Sequence, residues 1–427
     1  MLLYDSLARH KVELPPQPGP IRMYVCGPTV YQRIHIGNAR PFVLSMWLRR
    51  WLSERGYEVK LVENITDIND KIYEAAARAK IGSAELAEQA TQWYLEDTED
   101  LGLGRPDVEP RATEVLPEIV ELIGELVERG LAYESGGDVY FRVPAYPEYG
   151  SLSGAQPDDM IAQEPSDLKE DPRDFALWKA TKPHEDTSWD SPWGPGRPGW
   201  HIECSAMAEK HLGPEFEIHG GGLDLRFPHH ENELAQSRGA GRPFARLWAH
   251  NGMLRLDEEK MSKSSGNIVS LREVLDEYGR EAVLVFFLGG HYRGPLDYSD
   301  EAMEAAEAQA EGFRNAFRSP AGQGGAGWEA FEAALEDDFN TQAALAVLHE
   351  WRSEGQVELL LRGLSVFGLE SLAKQEAAPT EIVELASRRQ DARGRGEYEE
   401  ADRLREQVEA AGWQVRDRPD GFDLVPL

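Results

Sequence analysis

The stretch Ile21-Arg22-Met23-Tyr24-Val25-Cys26-Gly27-Pro28-Thr29, with His35-Ile36-Gly37-Asn38 close behind it, decides how the chain folds. An apolar strand over 21–25 runs into a turn, and helical apolar spacing follows over about 38–55, closed by Gly56. A second strand over 58–64 completes strand–helix–strand, the βαβ unit of a parallel sheet. His35 to Asn38 fall at the mouth of the helix, where unpaired N–H groups and the helix dipole attract phosphate. Four letters alone fit a surface histidine in a turn equally well, so the rest of the chain must choose.

Working outward, the sheet pattern resumes with a strand over 216–219, the run Gly220-Gly221-Gly222, a helix near 230–238 and a strand around 247–254. Between the halves, about 105–198 reads as an insertion, with a helix at 115–129, a hairpin at 133–143 and Pro- and Trp-rich loops. Two half-sheets around an insertion place a crevice at the switch point, where doubly wound folds bind ligands. The expected architecture is α/β: a split Rossmann-type parallel sheet over 1–298, with a signature loop and stem-contact region at about 255–298. An all-α bundle over 299–381 and a short C-terminal α/β tail over 382–427 follow, the tail holding a charged helix at 398–411. Gly322 to Gly327 match the dinucleotide fingerprint by letter, but no strand precedes them, so they read as a linker.

Composition narrows the function. The 427 residues exceed what one core usually serves, and 41% hydrophobic with 28% charged residues is the balance of a globular protein. No run approaches the ~18 apolar residues of a membrane span, and 1–22 lacks a basic stretch leading an apolar one. A cytoplasmic, monomeric protein with no membrane role is expected. With 76 acidic against 45 basic residues the net charge is −31, which repels a polyanion over most of the surface, so a nucleic-acid partner needs a local basic strip. The two cysteines, Cys26 and Cys204, read either as unrelated buried thiols or as metal ligands.

Two further segments carry chemistry. Lys260-Met261-Ser262-Lys263-Ser264 is a polar loop after a strand, with lysines three positions apart. Such lysines are either solvated or close over a triphosphate and stabilise charge at the α-phosphorus. No Walker-type phosphate loop occurs. In His229-His230-Glu231-Asn232-Glu233, His229 and Glu233 stand four apart and share a helix face. Two thiolates, an imidazole and a carboxylate make a sensible zinc set, although such His/Glu pairs are common on exposed helices.

Together, His35 to Asn38 and Lys260 to Ser264 resemble the two signature motifs of class I aminoacyl-tRNA synthetases, in the right order. Asn38 replaces the commonest fourth letter, histidine, so altered ATP contacts are expected. The runs 23–37, 64–71, 171–179, 199–207 and 219–237 are similar to cysteinyl-tRNA synthetases, over nearly all of 1–300. That resemblance implies one Zn²⁺ on Cys26, Cys204, His229 and Glu233, with His230 as rival to His229. It implies substrate cysteine beside Gly27, Thr66 and Trp200, adenosine beside Gly222 and Asp224, and Mg²⁺-ATP at His35, Gly37, Asn38, Lys260 and Lys263.

The implied reaction is activation of L-cysteine on ATP and its transfer to tRNA-Cys. A pocket alone separates cysteine from serine by only about 1–3 kcal/mol. A thiolate-selective metal does better and makes an editing domain unnecessary. Two alternatives stay open: a mycothiol-type ligase, which passes the activated cysteine to an amino sugar, and a catalytically inactive zinc-stabilised RNA-binding protein. The end of the tail, 421–427, departs from the family's usual pattern, leaving its anticodon contacts the least supported part.

Overall fold

The computed structural model describes all residues except 17–19, 156–164, 257–258, 261–268, 319–321, 323–324, 375–377, 419–420 and 427; at Glu259, Lys260, Arg416, Arg418, Asp423, Val425 and Pro426 it describes the backbone alone. The chain divides into two compact units, Met1–Glu370 and Ser371–Leu427.

The first unit is built on a parallel sheet. Strand β1 (Pro20–Val25) leads to helix α1 (Ile36–Glu54) and strand β2 (Glu58–Glu63), the βαβ unit expected from the opening stretch. After the insertion come α2 (Trp200–Leu212), β3 (Glu215–Gly222), α3 (Glu231–Gly239) and β4 (Phe244–Asn251). The four strands lie in the order β4-β3-β1-β2, all parallel. Register places Val25 opposite Gly220, so Cys26 and Gly221 emerge together at the carboxyl edge, where such sheets hold their ligands. α1 buries Phe42, Val43, Met46, Trp47 and Trp51, a wide apolar face that docks it on the sheet.

The strand expected over 247–254 is two. It starts at Phe244, stops at Asn251, and resumes as β5 (Leu254–Leu256). The break is imposed from outside: Gly252 N donates to Tyr292 O at 2.8 Å, pulling the chain off the sheet. Helix α4 (Leu271–Leu288) follows, opened by a reciprocal capping box between Ser270 and Glu273.

The insertion holds more sheet than its hairpin. Phe175–Ala180 and Gly196–Pro198 extend Ala132–Ser135 and Asp138–Phe141 into four antiparallel strands. Phe175–Ala180 is a short apolar run without alternation, which periodicity does not assign. Helices Asp300–Ala316, Trp328–Glu336, Thr341–Glu354 and Val357–Val366 belong to the first unit. Trp47 of α1 donates from Nε1 to Phe367 O at 2.9 Å, and Trp51 packs against Trp328 and Phe331.

In the second unit, helices Thr380–Gly394 and Tyr398–Ala410 pack on a hairpin, Trp413–Arg418 with Gly421–Pro426. Ile382, Ala386, Val408, Trp413 and Val415 form its small core. Arg389 pairs with Asp417, fastening the first helix to the hairpin.

Candidate active site

At the carboxyl edge, β1, α2 and α3 bring Cys26, Cys204, His229 and Glu233 together. Their ligand-type atoms all lie within 4.8 Å of one another. Cys26 follows β1, Cys204 comes from α2, His229 directly precedes α3 and Glu233 lies in its first turn. The two sulfurs are 3.7 Å apart, too far for a disulfide, and both thiols are free. Cys26 Sγ stands 3.4 Å from Glu233 Oε1, and His229 Nε2 stands 3.0 Å from the same oxygen. A second, overlapping set consists of Cys26, His219, His230 and Glu233.

The surroundings hold these donors in place. His219 Nε2 donates to Glu233 Oε2 at 2.8 Å, leaving Oε1 toward the thiols. His201 Nδ1 lies 2.9 Å from His229 Nδ1, so one ring donates and the other accepts. Asn64 Oδ1 accepts from Gly27 N at 3.0 Å and stands 3.7 Å from Cys204 Sγ. His230 turns its Nδ1 to His250 Nε2 at 2.8 Å, and His250 in turn reaches Ser6 Oγ. Trp200 stacks on the His229 ring with centroids 4.2 Å apart.

Electrostatics follow from burial. Desolvation holds the His201 imidazole down to about 3 and pushes His229 and His230 well below their ordinary value, so all three rings are neutral. The Cys26 thiol is pushed well up by burial, then by its bond to Cys204 and the Glu233 charge; Cys204 is also raised, chiefly by burial. Burial thus favours the neutral thiols until a cation joins them.

Above this base opens a cleft of about 700 Å³, lined in part by Gly27, Trp200, His35, Gly37, Asn38, Gly222 and Asp224. His35 is the extended residue ahead of α1. A Cβ on Gly37 would stand 3.0 Å from the His35 ring, so a side chain there would crowd the imidazole. Gly27 is tighter, since its Cβ would fall 1.8 Å from Asn64 O. Thr66 lies buried beside Asn64, accepting from Val30 N through its carbonyl and from Asn64 Nδ2 through its hydroxyl. Lys263 and the Lys260 side chain lie outside the described residues.

Comparison with known proteins assigns nearly the whole chain. The family model for the class I (C) tRNA synthetase catalytic domain matches residues 13–308. A DALR domain model matches 330–359, and the cysteinyl-tRNA ligase anticodon binding domain matches 377–422. The cysteine–tRNA ligase of Rubrobacter xylanophilus is 45% identical, over 98% of this chain and 97% of that one. That of Methylobacillus flagellatus is 46% identical, over 98% of each chain. The chain belongs to the cysteine–tRNA ligase family. It is therefore a class I aminoacyl-tRNA synthetase, and the anticodon-domain match reaches well into the tail whose end had looked atypical.

Solved class I synthetases share the fold of this ligase. Mycobacterium tuberculosis methionyl-tRNA synthetase with methionyl-adenylate superposes at TM-score 0.58 and 18% identity, covering 87% of this chain and 84% of that one. The Agrobacterium radiobacter K84 agnB2 LeuRS–tRNA–LeuAMS complex gives 0.60 at 12% identity, covering 86% of each. Among the described residues no helix is long and apolar enough to cross a membrane.

Sequence reading passed over the groups that hold the ligase's cysteines and histidines. His201 was detectable, standing three positions before Cys204 on one helix face. Asn64 and His219 were not, because each reaches the cluster only through parallel strand register.

Proposed function

We propose that the chain activates L-cysteine on Mg²⁺-bound ATP and transfers it to tRNA-Cys, recognising the substrate thiol through a zinc ion on Cys26, Cys204, His229 and Glu233. The observation that carries this reading is the convergence of those four donors at the base of the cleft that His35 and Asp224 line. The donor set fits zinc: two sulfurs, one neutral imidazole and one carboxylate, all buried. The overlapping set has one sulfur instead of two, and its His219 is already engaged with Glu233 Oε2, so it suits the ion less well. Bound there, zinc would supply a soft Lewis acid that prefers thiolate to the hydroxyl of serine.

This chain's residues do the rest. The Cys26 and Cys204 thiols give up their protons to become ligands. His229 keeps its proton on Nδ1, donated to His201, so that Nε2 offers its lone pair. His219 holds Glu233 Oε2 and leaves Oε1 facing the site. Trp200 walls the pocket beside His229. At the other end His35, Asn38, Lys260 and Lys263 bind the triphosphate, with Gly37 admitting it close to the backbone. Gly222 and Asp224 receive the adenosine. The cysteine carboxylate oxygen attacks the α-phosphorus and pyrophosphate leaves. A ribose hydroxyl at the 3′ end of the tRNA then attacks the acyl carbon, and AMP leaves. No side-chain nucleophile is needed, and the protein acts as a cytoplasmic monomer.

Cysteine-dependent ATP–pyrophosphate exchange, followed by transfer of labelled cysteine to a tRNA-Cys transcript, tests the whole reading. Exchange without transfer to tRNA would move the reading to the amino-sugar ligase. Absence of exchange would leave only an RNA-binding protein.

A further inference from the structure

The described residues on both sides of 257–268 are tied to the first signature segment. On the far side the tie is backbone: Ile36 N donates to Val269 O at 3.1 Å and Leu271 N to Ile34 O at 3.0 Å, bridging His35 to Ser270. On the near side it is one side chain. Arg40, early in α1, donates from Nη1 to Gly252 O at 2.7 Å and to Met253 O at 3.4 Å, and from Nη2 to His291 O at 3.3 Å.

That arrangement is expensive for a residue whose task is only to fill space. Arg40 is 3% exposed, and among the described residues its hydrogen-bond acceptors are neutral carbonyls, with no carboxylate in ion-pair reach. Burial alone draws its guanidinium down to about 10. A methionine would occupy the same volume without a desolvated charge. What methionine lacks is a planar fork of donors, able to grip carbonyls from two separate loops at fixed angles.

The gripped segment matters because of where it leads. Gly252, Met253 and Leu254 line the cleft opposite His35, Gly37 and Asn38, and β5 runs from Leu254 toward Lys260. The segment has no slack on its other side, since a Cβ on Gly252 would come within 2.0 Å of Gly294 O. Arg40 is thus the strut between the start of α1 and the strand that carries the chain into the second signature segment.

We infer that Arg40 is a positioning residue for ATP: by holding Gly252, Met253 and His291 it fixes the nucleotide wall of the cleft against His35–Asn38. This rests on the adenylation reading above. Its signature is selectivity, because the cysteine end of the cleft is held by other groups, the His219 and His201 contacts, which Arg40 does not touch.

The test is pyrophosphate exchange by the full chain in Arg40→Met and Arg40→Lys, with KM taken separately for ATP and cysteine, and zinc content and melting temperature measured alongside. Displacement of a reacting group by about an ångström costs ~100-fold, so kcat/KM for ATP should fall roughly that far in Arg40→Met. The KM for cysteine and the zinc content should stay at wild-type values. Arg40→Lys, which keeps the charge but not the fork, should fall in between. Unchanged ATP kinetics in a folded Arg40→Met would overturn the inference, as would a loss shared equally by both substrates and tracking the melting temperature. Should Arg40→Met fail to fold, Arg40→Lys is judged on the same criteria. Exchange in the wild type with an unaffected variant sinks this inference alone; no exchange in the wild type sinks the adenylation reading and this one with it.

Discussion

The two ends of one cleft are built on opposite plans. At its base three of the four donors have a side-chain neighbour outside the set: Glu233 has His219, His229 has His201 and Cys204 has Asn64. Toward its mouth the lining is mixed: Gly37, Gly222 and Gly252 bring backbone to the surface, and charged side chains come from separate elements, Arg33 ahead of α1 and Lys71, Glu74 and Arg78 from the helix Asp70–Ala79. Under the proposed function, the difference follows from what each end would recognise. A thiol differs from a hydroxyl in softness, which only a rigid, pre-assembled donor set can read. A triphosphate offers many equivalent oxygens, which backbone amides and mobile cations can share.

If the base is a single assembled unit, removing one thiol should do the most damage. Cys204→Ser is expected to lower cysteine-dependent exchange by more than about 100-fold and to lose bound zinc, exceeding the loss typical of a second-sphere change. Metal analysis of the purified variant decides it: full zinc occupancy with normal exchange removes the donor set from the mechanism. A mouth that works through separable charges predicts a different pattern. Lys263→Ala should slow adenylate formation by roughly 100- to 1,000-fold, the range for one lost stabilising donor, while cysteine affinity and zinc content hold. A variant in which cysteine binding weakens as much as the chemical step would erase the distinction between the two ends.

A subtler probe of the base leaves every ligand in place. His201→Phe removes the ring nitrogen that stands 2.9 Å from His229 Nδ1 and keeps a ring of similar size. Zinc affinity should drop about 10- to 100-fold, measured by competition with a chelator, because outer partners of metal-bound histidines typically contribute that much. Equal affinity in variant and wild type would mean that Trp200 stacking alone orients His229.

The same contrast explains what the sequence made legible. The βαβ start was readable because apolar period and Gly56 punctuate it locally. Cys26, Cys204, His229 and Glu233 could be proposed because the chain has only two cysteines and because His229 and Glu233 share a helix face, a pairing too common to decide by itself. Their meeting depends on β1, α2 and α3 being neighbours, a tertiary fact that came only with the family resemblance. His219 and Asn64 carry no local signal; strand register alone aims them at the base. Thr66, expected beside the substrate from the resemblance, is tied to the segment after Cys26 by backbone bonds, Thr66 N to Pro28 O and Val30 N to Thr66 O. The strand at 247–254 was misjudged because Gly252 is drawn off the sheet by Tyr292, a partner far along the chain.

Glu63, which lines the cleft between the two ends, gives the smallest effect and a test by pH. It is buried at the end of β2 and accepts a 2.5 Å hydrogen bond from the Tyr94 hydroxyl. Burial raises its carboxyl to about 7, with the Tyr94 bond working against the shift. The folded value is above that of the unfolded chain, so between about pH 4.5 and 7 the folded state holds a proton that the unfolded state has lost. Stability from this group is therefore present below the unfolded value and declines as pH rises through that window, by roughly 3 kcal/mol if the whole shift is expressed. Glu63→Gln removes the titration and retains an acceptor for Tyr94. The variant should unfold at higher denaturant than wild type at pH 8 and approach it at pH 5. Parallel pH profiles for the two proteins would show that Glu63 is charged in the fold, and that the cleft wall adds a negative charge beside the phosphates.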